Sequence, residues 1–285
     1  WFDLPRLAQD PQDLLVSKED RMNQGEFTWL PDGARYDGQW KGPHRHGRGV
    51  LLRPDGAKYV GEFAEDRASG SGRLVHANGD SYEGEWQGDR AHGQGRFAHA
   101  DGASYDGEWL QDRKSGRGVE VWRDGSKYQG GYWDGMKHGH GEFSAPDGST
   151  YVGQFKEDCM EGHGTYRLAD GREYQGQWSE NQMDGTGRMT WPDGRWYEGG
   201  FLADRKAGEG TFTWPDGRSY AGQWQEGRQH GTGHYISGAG CIEEVRLGRW
   251  PPHGLARLSR PPLRGCSPTL SRCSVGRRGD VTRLM

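Results

Sequence analysis

Residues Tyr82–Ser104 read YEGEWQGDRAHGQGRFAHADGAS. Counting Tyr82 as position 1, Gly84 is position 3, Trp86 position 5, Gly93 and Gly95 positions 12 and 14, Phe97 position 16, and Asp101-Gly102 positions 20 and 21. Y-x-G-x-W alternates with a period of two, so Tyr82, Gly84 and Trp86 share one face of a strand. A glycine inside a strand marks close approach of another group. Here it opens a slot between two rings, to be covered by an aromatic from a neighbouring strand. Phe97 reads as part of a second strand facing the same stripe. A polar loop ending in the glycine pair, which suits positive φ, joins the two strands. Asp-Gly is a strong hairpin signal. One unit is therefore a β-hairpin whose last turn leads into the next tyrosine strand.

The same unit recurs on both sides. Tyrosines stand at 36, 59, 82, 105, 128, 151, 174, 197 and 220, each 23 residues from the last. Position 5 is aromatic in all nine units, and the four glycine positions take 36 of the 50 glycines. Position 16 is apolar in eight units, with Glu120 the exception. Asn78-Gly79 replaces Asp-Gly once, and Ala239-Gly240 breaks the rule. Residues 25–35 read as half a repeat. Hairpins joined in this way form an all-β, elongated, single-layer antiparallel meander in which each repeat advances about 9.6 Å. Contacts are between nearest neighbours only, and twist is expected because flat sheets are unfavourable.

The pattern Y-x-G-x-[WFY]-x6-G-x-G-x6-[DN]-G closely resembles the membrane occupation and recognition nexus (MORN) repeat over residues 36–242. The resemblance implies elongated sheets with a groove that serve as non-catalytic protein-protein scaffolds, dimerising modules or membrane-proximal tethers. It further implies a cytoplasmic setting, at a membrane surface or in a cilium or flagellum. Such arrays also occur as appendages of lipid kinases and methyltransferases. This chain starts at Trp1 without Met, so it reads as a fragment that could belong to a phosphatidylinositol phosphate kinase or a SET methyltransferase.

Residues 1–24 form an N-terminal segment in which Asp10-Pro11 supplies an N-cap and an N1 proline. Two readings stand there: a short helix capping the first strand edge, or a linker. Residues 25–242 are the array. Residues 243–285 hold nine of the 37 basic and three of the 41 acidic residues, which leaves the remainder at −10. Rich in Arg, Pro and Ser without apolar periodicity, they read as a disordered tail. So acidic a body is not an electrostatic nucleic-acid binder. Cys159, Cys241, Cys266 and Cys273 show no CxxC spacing, which indicates neither a zinc site nor a disulfide framework and fits a reduced, intracellular setting. No apolar run reaches the roughly 18 residues of a membrane span.

No catalytic, cofactor or metal residues are expected. His44, His46, His92, His138, His140 and His230 recur near position 11, but corresponding residues of successive repeats are about 9.6 Å apart, too far to share one ion. The glycine pairs open no helix, so they do not cradle phosphate. No small-molecule substrate is implied. Two candidate surfaces remain, one for a protein partner or self-association and one for anionic lipid. Tyr82, Trp86, Tyr105, Trp109, Tyr128, Tyr132, Trp178 and Trp224 are the ring types of interaction hot spots. Arg67, Arg90, Arg113, Lys114, Arg205, Lys206 and Arg228, read as loop residues, would form a basic row for an anionic membrane lipid. Asp66, Asp89, Asp112, Asp158 and Asp204 sit beside that row and oppose it.

Overall fold

The computed structural model describes residues 27–247 except residue 239. After β1 (Thr28–Trp29), nine hairpins follow, each a seven-residue strand and a nine-residue strand. They are β2 (Arg35–Lys41) with β3 (His44–Leu52), β4 (Lys58–Ala64) with β5 (Arg67–Val75), β6 (Ser81–Gln87) with β7 (Arg90–Ala98), β8 (Ser104–Leu110) with β9 (Arg113–Val121), and β10 (Lys127–Trp133) with β11 (Met136–Ser144). The series continues with β12 (Thr150–Lys156) and β13 (Cys159–Arg167), β14 (Glu173–Ser179) and β15 (Gln182–Thr190), β16 (Trp196–Leu202) and β17 (Arg205–Thr213), and β18 (Ser219–Gln225) and β19 (Arg228–Ile236). β20 (Ile242–Leu247) closes it. Each strand pairs antiparallel with its neighbours in sequence, so one 20-stranded open sheet runs in chain order.

The core of this single layer lies on one face. All nine repeat tyrosines are essentially without exposure, Tyr105 at 1% and the others at 0%. They fill space that the glycines leave. Position 3 of each unit pairs with position 14 on both sides, as in Gly38↔Gly49↔Gly61↔Gly72, so a ladder of glycines crosses the sheet. Each tyrosine ring folds back over its own pair. A Cβ placed at Gly49 would lie 2.4 Å from the Tyr36 hydroxyl. The slot is thus filled by the ring of the same unit, not by one from a neighbouring strand as expected. The hydroxyl then donates to a backbone carbonyl three residues on, Tyr36 to Gln39 at 2.8 Å and Tyr105 to Glu108 at 2.9 Å. A phenylalanine would leave that buried acceptor without this donor.

The rings also lock one repeat to the next. Tyr82 meets Trp86 of its own strand at 5.0 Å and Trp109 of the next repeat at 5.3 Å, both edge-to-face. The same two contacts recur from Tyr36 to Trp224, giving an unbroken chain of perpendicular rings. Such pairs contribute about 0.5–1.5 kcal/mol each beyond their buried area. Trp109 adds a hydrogen bond from Nε1 to the Gly95 carbonyl at 2.8 Å.

The turns depart from expectation. The loop inside each hairpin is only two residues long. Glu65 and Asp66 both have positive φ, 50° and 71°, the signature of a type I′ turn. The glycine pairs lie within the second strands, with the first glycine at positive φ, as at Gly47, +66°. The Asp-Gly turn is the longer connection: Gly56 N–H donates to the Arg53 carbonyl at 3.0 Å and Arg53 N–H to the Ala57 carbonyl at 2.9 Å. Gly56 takes the left-handed position after a type I turn, and the Asp55 carboxylate accepts from Ala57 N–H at 2.9 Å.

The aspartates at position 8 staple neighbouring repeats. Asp66 accepts from the Arg45 N–H at 2.9 Å, Asp89 from Ala68 at 2.7 Å and Asp158 from Lys137 at 2.9 Å. Two hairpins carry glycine there instead, Gly135 and Gly227.

At the carboxyl end the sheet extends past residue 242. β20 pairs with β19 through Tyr235↔Glu243 and Gly231↔Leu247. Residues 243–247, read as tail, are therefore strand, because the free edge of β19 supplies the backbone partners. The expected helix within residues 1–24 and the tail beyond 247 lie outside the described residues. Among the described cysteines Cys241 is a free thiol. No helix among the described residues is long and apolar enough to cross a membrane.

Candidate interaction surface

The eight rings expected to face a partner are packed on one another. Tyr82, Trp86, Tyr105, Trp109, Tyr128, Tyr132, Trp178 and Trp224 are between 0% and 7% exposed. The aromatic face is used up in holding the sheet together, so a partner surface has to be sought elsewhere.

The basic row divides in two. Position 9 opens the second strand, and Arg67, Arg90, Arg113, Arg205 and Arg228 are exposed there. They are strand residues along one side of the sheet, not loop residues. Arg113 pairs with Asp134, and Arg90 reaches Gln111 at 3.3 Å. Position 10 alternates to the aromatic face, so Lys114 and Lys206 leave the row and lie over rings. Lys114 Nζ lies 5.0 Å from the Tyr105 ring centre and 2.5 Å from Glu120 Oε1, and Tyr132 donates to Glu120 Oε2 at 2.8 Å. This explains the one non-apolar position 16. Glu120 is the carboxylate that Lys114 needs once Gly135 has removed the aspartate staple. Burial, then the Glu120 charge, raises the Tyr132 pKa.

Glu120→Ala is expected to cost about 2 kcal/mol or more, because it strands a largely buried cation. The double variant Lys114→Met/Glu120→Leu, which uses residues that other repeats carry at positions 10 and 16, is expected to be near neutral. Urea unfolding of the single and double variants measures both, and a double variant as unstable as Glu120→Ala contradicts the account.

The opposite face carries the open space. Positions 2, 13 and 15 point there, between β11 and β19, and enclose a groove of about 1180 Å³. Its floor is the backbone of the glycine ladder, and its walls include His140, His163, Gln175, Thr186, Thr211 and Thr232 with the charged Arg188, Glu198 and Glu209. The same face carries long charged residues in facing pairs, Arg73↔Glu83 and Arg96↔Asp106 toward the amino end and Arg188↔Glu198 within the groove. In the later repeats Thr165, Thr186, Thr211 and Thr232 take positions 13 and 15, and Gly131 and Gly200 take position 4. The sequence reading missed these residues. The visible signal was the threonines and glycines that enter the variable positions of the later units. Among the described residues no cluster of His, Cys, Asp and Glu is arranged to hold a metal.

The MORN repeat family model matches residues 36–58, 59–81, 82–104, 105–127, 128–150, 151–171, 174–194, 197–217 and 220–242. The chain belongs to the MORN repeat family. The MORN array is a non-catalytic repeat module of β-hairpins. Among curated proteins, none matches the chain at a significant level. Among solved structures, the wild-type TCP10 domain of Danio rerio CPAP is 12% identical over 78% of this chain and 94% of its own, with a TM-score of 0.26. The TCP domain of Drosophila melanogaster SAS-4, solved with a proline-rich motif of Ana2, is 13% identical over 78% and 99%, with a TM-score of 0.28. A virginiamycin B lyase from Staphylococcus aureus is 8% identical over 75% and 89%, with a TM-score of 0.15. Superpositions that loose carry no functional inference to the MORN array.

Proposed function

We propose that this array is a protein-docking scaffold that seats an extended polypeptide in the groove of its later repeats. One observation carries the reading. The aromatic face is consumed internally, while the other face presents a groove of about 1180 Å³ with a backbone floor and mixed polar and charged walls. The threonine, glutamine and histidine side chains, with Arg188, Glu198 and Glu209 among them, offer donors and acceptors to a peptide.

Selection of peptides from a displayed library against the intact chain tests this. Enriched peptides are expected to lose binding, by tenfold or more, to Thr186→Arg/Thr232→Arg, which fills the groove from two exposed positions. Peptides indifferent to that variant, or no enrichment, would overturn the reading. A second reading, a peripheral module for anionic membrane lipid, is favoured by the exposed arginines at position 9. Co-sedimentation with phosphatidylserine vesicles at low salt, equal for both proteins and lost on reversing Arg67, Arg90 and Arg205 to Glu, would favour it instead. On either reading the array suits the targeting part of a larger protein.

A further inference from the structure

Position 10 is a cation in four repeats, Arg45, Lys114, Lys137 and Lys206. Three of them have a carboxylate: Arg45 has Asp66 at 3.3 Å, Lys114 has Glu120 at 2.5 Å and Lys137 has Asp158 at 3.7 Å. Lys206 differs. The hairpin that would supply its aspartate carries Gly227, whose N–H still reaches the Lys206 carbonyl at 2.9 Å. Position 16 of its repeat is Phe212, not an acid. No carboxylate pairs with its ammonium among the described residues.

Aromatic rings surround it instead. Lys206 Nζ lies 4.6 Å from the ring centre of Phe212, 4.9 Å from Trp224, 5.1 Å from Tyr197 and 5.2 Å from Trp191. Arg195, in the turn between β15 and β16, is the charged side chain that acts on it and is itself 2.7 Å from Asp193. Tyr197 is the titratable ring of the cage, and its hydroxyl is committed to the Gly200 carbonyl at 2.9 Å. Trp191, Phe212 and Trp224 bring no titratable group. Burial under the rings and then repulsion from Arg195 bring the pKa of the Lys206 ammonium down to about 8. Ring faces return part of that cost. A lysine desolvated in an apolar pocket beside another cation is the usual form of an activated amine nucleophile.

We propose that Lys206 is an acylation site, its side-chain amine taking small acyl groups from acyl thioesters. The neutral nitrogen attacks the thioester carbonyl carbon and an N–C bond forms. The C–S bond breaks, its electron pair leaves on sulfur, and the proton lost from nitrogen ends on the released thiol. The amide product is uncharged and relieves the burial of an unpaired cation. The side chain is only half-buried, so a small donor reaches it.

The test exposes the full chain to S-acetyl-N-acetylcysteamine at several pH values and measures acetylation of each lysine by peptide mass spectrometry. At neutral pH Lys206 is expected to react on the order of tenfold faster than the exposed Lys127 and Lys156. That advantage is expected to shrink with rising pH and to vanish in urea. Gly227→Asp, which restores the carboxylate on a turn residue of the kind other repeats carry, is expected to slow Lys206 to the rate of the others. A folded-state rate equal to or below that of Lys127 overturns the proposal, as does an advantage that persists in urea. A Lys206 that stays fast in Gly227→Asp overturns the missing carboxylate as its cause.

Discussion

Alkaline titration is expected to leave the nine repeat tyrosines protonated well past pH 10, and then to ionise them together as the sheet is lost. Burial raises all nine above the ordinary value of 10.0; Tyr36 reaches about 12 and Tyr59, Tyr82, Tyr105, Tyr128, Tyr151, Tyr174 and Tyr197 go higher. Tyr220, in the last unit, is raised as well. A group whose folded-state pKa is raised contributes stability that is complete below its unfolded value and is lost as pH climbs through the folded one. The window therefore opens near pH 10 and extends beyond 12. Each tenfold change in an ionisation equilibrium between the unfolded and folded chain corresponds to about 1.4 kcal/mol, and nine rings act in the same direction. Near-ultraviolet tyrosinate absorbance followed alongside far-ultraviolet dichroism should show one coincident transition. Gradual ionisation near pH 10 with the sheet intact would mean that the rings are not buried as described.

Gly107→Ala is expected to be the most damaging small substitution, at about 3 kcal/mol or more. A Cβ there would lie 2.5 Å from the Gly118 Cα, 2.6 Å from the Arg117 carbonyl oxygen and 2.7 Å from the Tyr105 hydroxyl. Two of those atoms are backbone in the paired strand, so nothing flexible can give way. The control is Gly125→Ala. There φ is +87° but nothing lies within 4 Å, so the cost is backbone strain of about 1–2 kcal/mol. Contacts run only within a repeat and between adjacent repeats, so a break at β8–β9 also separates two blocks of repeats. Urea unfolding of Gly107→Ala is expected to show two transitions at a lower midpoint. A loss no larger than that of Gly125→Ala refutes the glycine ladder as a steric requirement.

Much of the fold was legible in one unit. The alternation of Tyr82, Gly84 and Trp86 placed them on one face, and the interval to Tyr105 placed the next hairpin beside it. Two local readings went astray for one reason. Asp-Gly does turn each second strand into the next tyrosine strand, while Glu65-Asp66 makes the shorter turn inside the hairpin; aspartate tolerates positive φ and here gains a backbone donor from the preceding repeat. Gly93 and Gly95 were placed at the end of a loop, but they complete a strand because β6 and β8 pair with it on both sides. The slot over Gly84 was assigned to a neighbouring ring, yet Tyr82 fills it by turning back on itself. The candidate surface was less legible still. Tyr82 and Trp109 have the chemistry of binding residues, and in a sheet one layer thick that chemistry serves as the core.

From the sequence alone came the period, the hairpin unit, the shared face of tyrosine, glycine and aromatic, and the antiparallel order of the array. These depend on spacing along one strand, and a strand turns its side chains with a fixed period of two whatever surrounds it. Only the tertiary structure decided which groups neighbouring repeats supply to each other. It gave the Asp89 carboxylate to the Ala68 amide, Glu120 to Lys114, and no acid to Lys206 among the described residues. It also lined up the variable positions of the later repeats into a groove. Those outcomes depend on what lies across the pairing, 21 residues away in the case of Asp89 and Ala68, and no window on a single unit contains it.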